Sequence, residues 1–164
     1  MTRPTELGDI ARAIIDANVY MTLGTADEHG NPWVSPVFYA ARDYREFFWI
    51  SSPEATQCRN IAKRPQVSLV IFDSRVPVGQ GQAVYMSAVA EQVPDAEIDR
   101  ALEIYPGPPE RGARRIHGED VRPPGRFRLY RAAVTQHSVL CPLSSAQRCP
   151  DHGRVSDHRA LVTL

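Results

Sequence analysis

Ser35, Pro36 and Val37 form a pattern that could bind a flat heterocycle through the backbone. They lie in residues 32–41, which are predicted to form a β-strand. Proline has no backbone N–H, so Pro36 must lie at a sheet edge or a bulge. Backbone groups beside such a proline can hydrogen-bond ring carbonyls and nitrogens. The alternative is that Pro36 marks an edge and has no further role.

A second segment joins Trp49, Ile50 and Ser51 to a predicted helix. The preceding residues are nearly all apolar, which predicts a strand over residues 47–51 that is buried on both faces. Residues 52–54 (Ser-Pro-Glu) are typical of a helix start, because serine caps, proline suits the first turn and glutamate favours the positive end of the dipole. We expect the helix to end near residue 64, because Pro65 blocks its continuation.

The start of this helix is a candidate anion site. A strand that leads into a helix places free amides at the positive end of the helix dipole. An arginine there can pair with a phosphate, whereas the alternative is an ordinary solvated helix face. A cysteine in the first turns could have a lowered pKa, although it more often packs as a small side chain. The candidate residues are Gln57, Cys58, Arg59 and Asn60.

The remaining two cysteines and three of the five histidines fall near the end of the chain. Cys141 and Cys149 are separated by seven residues, a gap that matches no standard zinc motif, so we predict no metal site. His137, His152 and His158 lie nearby, and the alternative to a metal site is a tail loop with unpaired thiols. The sequence shows neither a Ser-His-Asp arrangement in a supporting motif nor a glycine loop for phosphate.

The elements that would position these residues are mostly strands. Apolar residues at helical spacing predict a first helix over residues 6–17, and a further helix is expected from residue 94 to residue 105. Six or more strands with few helices between them favour an antiparallel sheet. Closure of that sheet into a barrel would remove its exposed edge strands. The predicted strands cover residues 19–25, 32–41, 47–51, 66–72, 83–93 and 127–134, with 138–140 continuing the sheet and a short closing strand at 160–163.

Composition excludes several classes of protein. The 164 residues fit one domain, residues 1–164, and the 43% apolar fraction is sufficient for a core. The 19 basic and 19 acidic residues cancel, so no strong basic field favours nucleic acid or an anionic membrane. No apolar run is long enough to span a bilayer, and the N-terminus lacks the apolar core of a secretory signal. Three cysteines suit a reducing compartment, so we expect a cytoplasmic protein.

Several ordered segments together resemble the pyridoxamine 5′-phosphate oxidase-like split-barrel flavoproteins. The resemblance implies a mainly β (α+β) fold: a six-stranded antiparallel split β-barrel with a few peripheral helices. The matching segments are LGT (23–25), HGNPWVSPV (29–37), FWIS (48–51), RNIA (59–62), PQVSL (65–69), AVYMSAVAE (83–91) and RLYRA (128–132).

The resemblance also implies a homodimer with flavin mononucleotide (FMN) at the subunit interface. Ser35, Pro36 and Val37 would contact the isoalloxazine ring, largely through the backbone. Trp49, Ile50 and Ser51 would flank the flavin and its ribityl chain. Gln57, Cys58, Arg59 and Asn60 would lie by the phosphate, and Gln80 or Gln82 would reach the ring from the partner strand.

Departures from the family pattern limit the activity that can be inferred. Oxidases of this family carry an arginine where this chain has Ser35 and an Arg-Lys pair near Thr56 and Gln57, all for the cofactor phosphate. Each lost charge-assisted bond is worth about 1.5–3 kcal/mol. The family's lysine for the substrate phosphate is also missing, near Ala40. Oxidation of pyridoxamine phosphate is therefore not expected.

Three functions remain open. The first is an FMN-dependent oxidoreductase of unknown substrate, in which the flavin carries the redox chemistry and no side chain need act as acid or base. The second is a reductase on the same fold that uses a deazaflavin. The third is a non-enzymatic module that binds flavin, haem or another flat ligand, a reading favoured by the missing phosphate cations.

Overall fold

The computed structural model describes residues 4–141 and 152–164, and within them the chain forms eight strands and three α-helices. Three single 3₁₀ turns, Asp95–Glu97, Pro109–Arg111 and Gly118–Asp120, complete the described elements. No helix in the described ranges is long and apolar enough to cross a membrane. The strands are β1 Tyr20–Ala26, β2 Pro32–Phe38, β3 Ala40–Arg42, β4 Glu46–Ser51, β5 Gln66–Phe72, β6 Ala83–Gln92, β7 Arg128–Leu140 and β8 Arg159–Val162, and the helices are α1 Pro4–Ala17, α2 Thr56–Lys63 and α3 Ile98–Ala101.

All eight strands belong to one curled antiparallel sheet, which is the split-barrel fold predicted from the sequence. The strand order is β2-β1-β5-β6-β7-β4-β3, and β8 pairs with the C-terminal part of β7. The two ends of this order are β2 and the β3–β4 hairpin. They approach each other in space, but no ladder joins β2 to β4 among the described residues. We call this gap between β2 and β4 the seam.

The number of strands differs from the predicted six. The segment predicted as one strand over residues 32–41 is broken at Tyr39 into β2 and β3. The two segments expected at 127–134 and 138–140 are instead one continuous strand, β7, with an irregularity opposite Ser87 and Ala88. The closing strand β8 raises the total to eight.

Alternation of buried and exposed residues explains why these segments form strands. β1 and β5 bury every second side chain, as expected for a sheet with one covered face. β4 differs because it is buried on both faces, as predicted. Phe47 and Trp49 enter the main core with α1, whereas Phe48 joins a second cluster that also contains Ile98 of α3.

Of the helices predicted at residues 6–17 and 94–105, one agrees closely with the structure and the other is shorter than expected. The first agrees closely: Leu7, Ala11 and Ile15 recur on one face of α1 and are buried against the sheet. The helix expected from residue 94 to residue 105 is only a 3₁₀ turn followed by the one-turn helix α3. The predicted apolar face is nevertheless buried, including Ile98 and Tyr105.

The break at Tyr39 lies where its side chain contacts the end of α1, and this contact leads to a stability prediction. The buried Tyr39 hydroxyl lies 2.6 Å from the carbonyl oxygen of Ile15 and 2.9 Å from that of Asn18, so it ties the sheet to the end of α1. Tyr39→Phe is expected to lower the free energy of unfolding by about 1–2 kcal/mol, since it leaves buried carbonyls without this donor. Urea denaturation measures the change. The control is Tyr44→Phe, whose hydroxyl meets Asp16 at the surface and whose loss should cost less than about 0.5 kcal/mol. Equal losses in the two variants would contradict this account.

Candidate functional site

The free edge of β2 is the first component of the site. The backbone N–H of Tyr39 donates to the carbonyl of Val19 at 3.1 Å, which sets the alternation of the β1–β2 ladder. Because ladder bonds alternate along an antiparallel pair, Val34, Pro36 and Phe38 turn their backbone groups away from β1, toward the edge. Pro36 therefore lacks its N–H where no ladder bond is made. The prediction that Pro36 marks a sheet edge is confirmed.

A chain of side-chain hydrogen bonds crosses the seam. The indole N–H of Trp33 donates to Ser35 Oγ at 2.9 Å, and Ser35 Oγ donates to Gln57 Oε1 at 3.3 Å. Gln57 Nε2 in turn donates to Ser51 Oγ at 3.4 Å. The side-chain amide of Gln57, from α2, thus joins β2 to β4 at the point where backbone pairing is missing. Three of the predicted site residues, Ser35, Gln57 and Ser51, are brought together by these contacts.

The start of α2 provides the charged end of the site. Residues 52–54 form a turn rather than the first helical residues, because Ala55 N–H donates to the carbonyl of Ser52 and Glu54 N–H to its side chain. The helix begins at Thr56, and the N-cap residue Ala55 offers no side-chain cap. The backbone N–H groups of the first turn, at the positive end of the helix dipole, therefore have no capping side-chain oxygen to which they donate. Arg59 is exposed on this helix.

The side chains of Trp49 and Cys58 belong to the core. Trp49 is 0% exposed and stacks on Tyr130 with ring centroids 5.7 Å apart, so only its backbone borders the seam. Burial raises the pKa of the Cys58 thiol above its ordinary value, although contacts with Tyr130 and Ser51 act in the opposite direction. A neutral buried thiol is a packing group, which favours that reading of Cys58 over a reactive one.

A buried polar pair holds α2 against the sheet. Asn60 Nδ2 donates to Thr25 Oγ1 at 3.0 Å, and Thr25 Oγ1 lies 3.5 Å from the carbonyl oxygen of Trp33. Both side chains are buried. Sequence reasoning placed Asn60 near the phosphate but missed Thr25 and Trp33. The two-residue period of β2 was the available signal, because it puts Trp33 on the same face as Ser35.

The remaining predicted residues lie around this centre or away from it. The side chain of Val37 is buried in the main core, and its backbone groups face β1, so Val37 itself offers nothing to the free edge. Ile50 points to the other side of β4, into a cavity of about 390 Å³ that Phe38 of β2 also lines. Gln82 immediately precedes β6, which is the third strand from β2 in the sheet order. Gln82 therefore does not join the site within one chain. Its side-chain oxygen is buried without a hydrogen-bond partner among the described residues.

Comparison with known proteins places these features in context. Residues 7–140 match the family profile described as pyridoxamine 5′-phosphate oxidase. No relative with a curated description matches the chain.

Three solved structures share the fold at low sequence identity. HutZ, the haem storage protein of Vibrio cholerae, is 24% identical, with a TM-score of 0.64 over 79% of this chain and 91% of that one. A FAD-binding protein from Mesorhizobium loti is 18% identical, with a TM-score of 0.58 over 79% and 91%. An F420 reductase is also 18% identical, with a TM-score of 0.53 over 77% and 94%.

The buried position of Cys58 predicts slow chemical labelling. Iodoacetamide at pH 8 should modify Cys58 at least roughly tenfold more slowly in the folded chain than in urea, because labelling requires local opening and then a thiolate. Mass spectrometry of the peptide containing Cys58 measures both rates. Equal rates in the two states would show that the thiol is accessible and the packing assignment wrong.

Proposed function

Because the chain belongs to the pyridoxamine 5′-phosphate oxidase family, we propose that it is an oxidoreductase that binds FMN along the seam of a homodimer. The observation that carries the proposal is the chain of contacts from Ser35 through Gln57 to Ser51. These contacts set the free edge of β2 beside the uncapped start of α2. A flavin needs both features, since its ring carries hydrogen-bonding atoms and its tail carries a phosphate.

The edge of β2 suits the ring end. The N–H groups of Val34 and Phe38 and the carbonyl of Pro36 face away from β1, and these atoms are complementary to ring carbonyls and nitrogens. When bound, the flavin would supply the redox chemistry. The residues of this chain would bind and orient the ring and exclude water from it.

The start of α2 suits the phosphate end, although it carries fewer cations than the oxidases of the family. The first-turn amides and the exposed Arg59 favour an anion. The oxidases of the family have further cations where this chain has Ser35, Thr56 and Gln57. Here Ser35 and Gln57 are neutral and bond each other. The site therefore binds a phosphate through fewer charges than those oxidases use.

A cavity next to the seam is the candidate substrate pocket. It has a volume of about 390 Å³ and includes Phe38 from β2 and Ile50 from β4, the two strands of the seam. Arg111 also lines it, with its guanidinium 5.5 Å from the centre of the Phe38 ring. Tyr105 contributes a further aromatic wall. This lining fits an aromatic or conjugated substrate with a negative group.

A deazaflavin is the second candidate cofactor, favoured by the missing phosphate cations together with the structural similarity to an F420 reductase. The similarity to a haem storage protein keeps a non-enzymatic module as a third. Titration of the protein with FMN and with the deazaflavin, followed by fluorescence, separates the first two. Tighter binding of FMN would reject the deazaflavin. Release of haem from the purified protein would reject both.

The dimer is supported by an exposed face of the sheet. Val34, Gly24, Ser68 and Ser87 lie in one row across β2, β1, β5 and β6. Val34 is 67% exposed, and the row borders an open depression of about 500 Å³. Small residues in a row leave a flat surface on which a second copy can pack, and exposed apolar side chains favour such burial.

Arg59 provides a direct test of FMN binding. Arg59→Ala is expected to weaken FMN affinity about tenfold to 100-fold, the equivalent of one charge-assisted hydrogen bond. Quenching of flavin fluorescence measures the dissociation constant. The control is Arg100→Ala, which removes an exposed arginine from α3 and should leave affinity unchanged. No binding of FMN by the unaltered protein, or equal effects of the two variants, would contradict the proposal.

The proposed interface predicts a change in mass. Val34→Arg is expected to convert the dimer to a monomer, because packing of this face would bury a charge without a partner. Sedimentation equilibrium measures the mass, and circular dichroism checks that the fold is kept. Val155→Arg alters a similarly exposed valine in the tail and should leave the dimer intact. A monomeric unaltered protein, or a Val34→Arg variant that stays dimeric, would overturn this interface.

A further inference from the structure

A cluster of metal-binding side chains lies at the end of the β7–β8 pair, away from the seam. Cys141 immediately follows β7, and His158 immediately precedes β8. Their side chains converge with that of His152, so that one ligand atom from each lies within 4.8 Å of the others. We propose that Cys141, His152 and His158 bind a zinc ion that clasps β8 to the sheet.

Two of the three distances between the ligand atoms are close to those of a tetrahedral metal site, and the third is within 4.8 Å. Cys141 Sγ lies 3.6 Å from His152 Nδ1, and His152 Nδ1 lies 3.1 Å from His158 Nε2. Zinc binds sulfur at about 2.3 Å and imidazole nitrogen at about 2.0–2.1 Å. At tetrahedral angles these bond lengths place sulfur about 3.6 Å from nitrogen and two nitrogens about 3.3 Å apart. One ion can therefore reach all three atoms with little movement.

The orientation of His158 is set by a contact on its other side. His158 Nδ1 lies 2.9 Å from the carbonyl oxygen of Ser156. A carbonyl only accepts, so Nδ1 carries the proton and Nε2 keeps its lone pair toward the cluster. Metal-binding histidines are typically held in this way by a carbonyl behind the ring.

Backbone pairing holds two of the three ligands in place. The N–H of Cys141 donates to the carbonyl of His158 at 2.9 Å, which continues the β7–β8 ladder by one residue pair. Both side chains are buried, whereas His152 is exposed. Ordering of His152 is then the main entropic cost of binding, because the other two ligands are already positioned.

The ligand types and their spacing both favour zinc. Thiolate sulfur and imidazole nitrogen are both ligands that zinc binds, and three protein ligands leave a fourth tetrahedral position for water. Five residues separate His152 from His158, within the spacing of three to five that histidine pairs of zinc sites use. The gap between Cys141 and Cys149, from which no metal was predicted, matches no zinc motif, whereas the histidine pair does. Cys149 lies outside the described residues.

The position of the cluster indicates a structural role. β8 has only four residues and pairs with β7 alone. It buries Ala160 and contacts α1, so its attachment completes one side of the core. A metal bound at His158, the residue before β8, would link the start of β8 to the end of β7 and hold β8 in register. Because the unfolded chain has no such site, binding would stabilise the folded state.

The test measures zinc in the tag-free, full-length protein. After incubation with zinc and dialysis, the unaltered chain and the control His29→Ala should each retain about one zinc per chain by mass spectrometry. His29 is an exposed turn histidine outside the cluster. His152→Ala and Cys141→Ser should lower zinc affinity at least roughly 100-fold. A chain that retains no zinc, or variants that bind as well as the unaltered chain, would overturn the proposal.

Two further readouts separate metal binding from folding. His152 is exposed, so His152→Ala removes a ligand without opening the core. A chelator should lower the unfolding temperature of the zinc-loaded chain but not that of His152→Ala. Cobalt bound in place of zinc should show a thiolate charge-transfer band that Cys141→Ser abolishes. Absence of this band in the unaltered chain loaded with cobalt, or equal chelator effects on the two proteins, would also overturn the assignment.

Discussion

Between β2 and β4 the sheet stops short of closing, and side chains make the connection that backbone ladders make elsewhere. Every buried backbone group in a sheet needs a partner, so a gap must be lined by edges that water or another molecule can reach. The Gln57 amide occupies this gap, with Ser35 on one side and Ser51 on the other. This contact brings the start of α2 and the free edge of β2 together at one place.

The contact is only as well defined as the helix that carries it. An isolated eight-residue helix is not stable in water, so α2 depends on its buried face. Cys58 and Ile61 pack into the core, and Asn60 bonds Thr25. These interactions hold the uncapped start of the helix next to β4. The same core that stabilises the fold therefore positions the end of the site proposed for phosphate.

Local sequence signals were sufficient to predict the bounds of an element where its pattern is regular or a proline ends it. β5 has the predicted bounds because its alternation is unbroken, and α2 ends before Pro65. The start of α2 was misplaced because serine can cap a helix or close a turn, and here Ser52 closes a turn by accepting from Glu54 and Ala55. Trp49 was assigned to the flavin from the resemblance to the family, and a strand buried on both faces gives no sign of which side chains border a site. The break at Tyr39 depends on contacts with α1 far away in the sequence.

Pro36 also limits what can add to the sheet. An exposed edge is a template for strand addition by another chain, which is a route to aggregation. At the middle of β2 the proline removes a donor from that edge and places its ring there instead. A small ligand can still use the neighbouring amide groups, because it needs only a few of them. An incoming strand needs an unbroken row, so the edge discriminates against polypeptide and stays open to compact molecules.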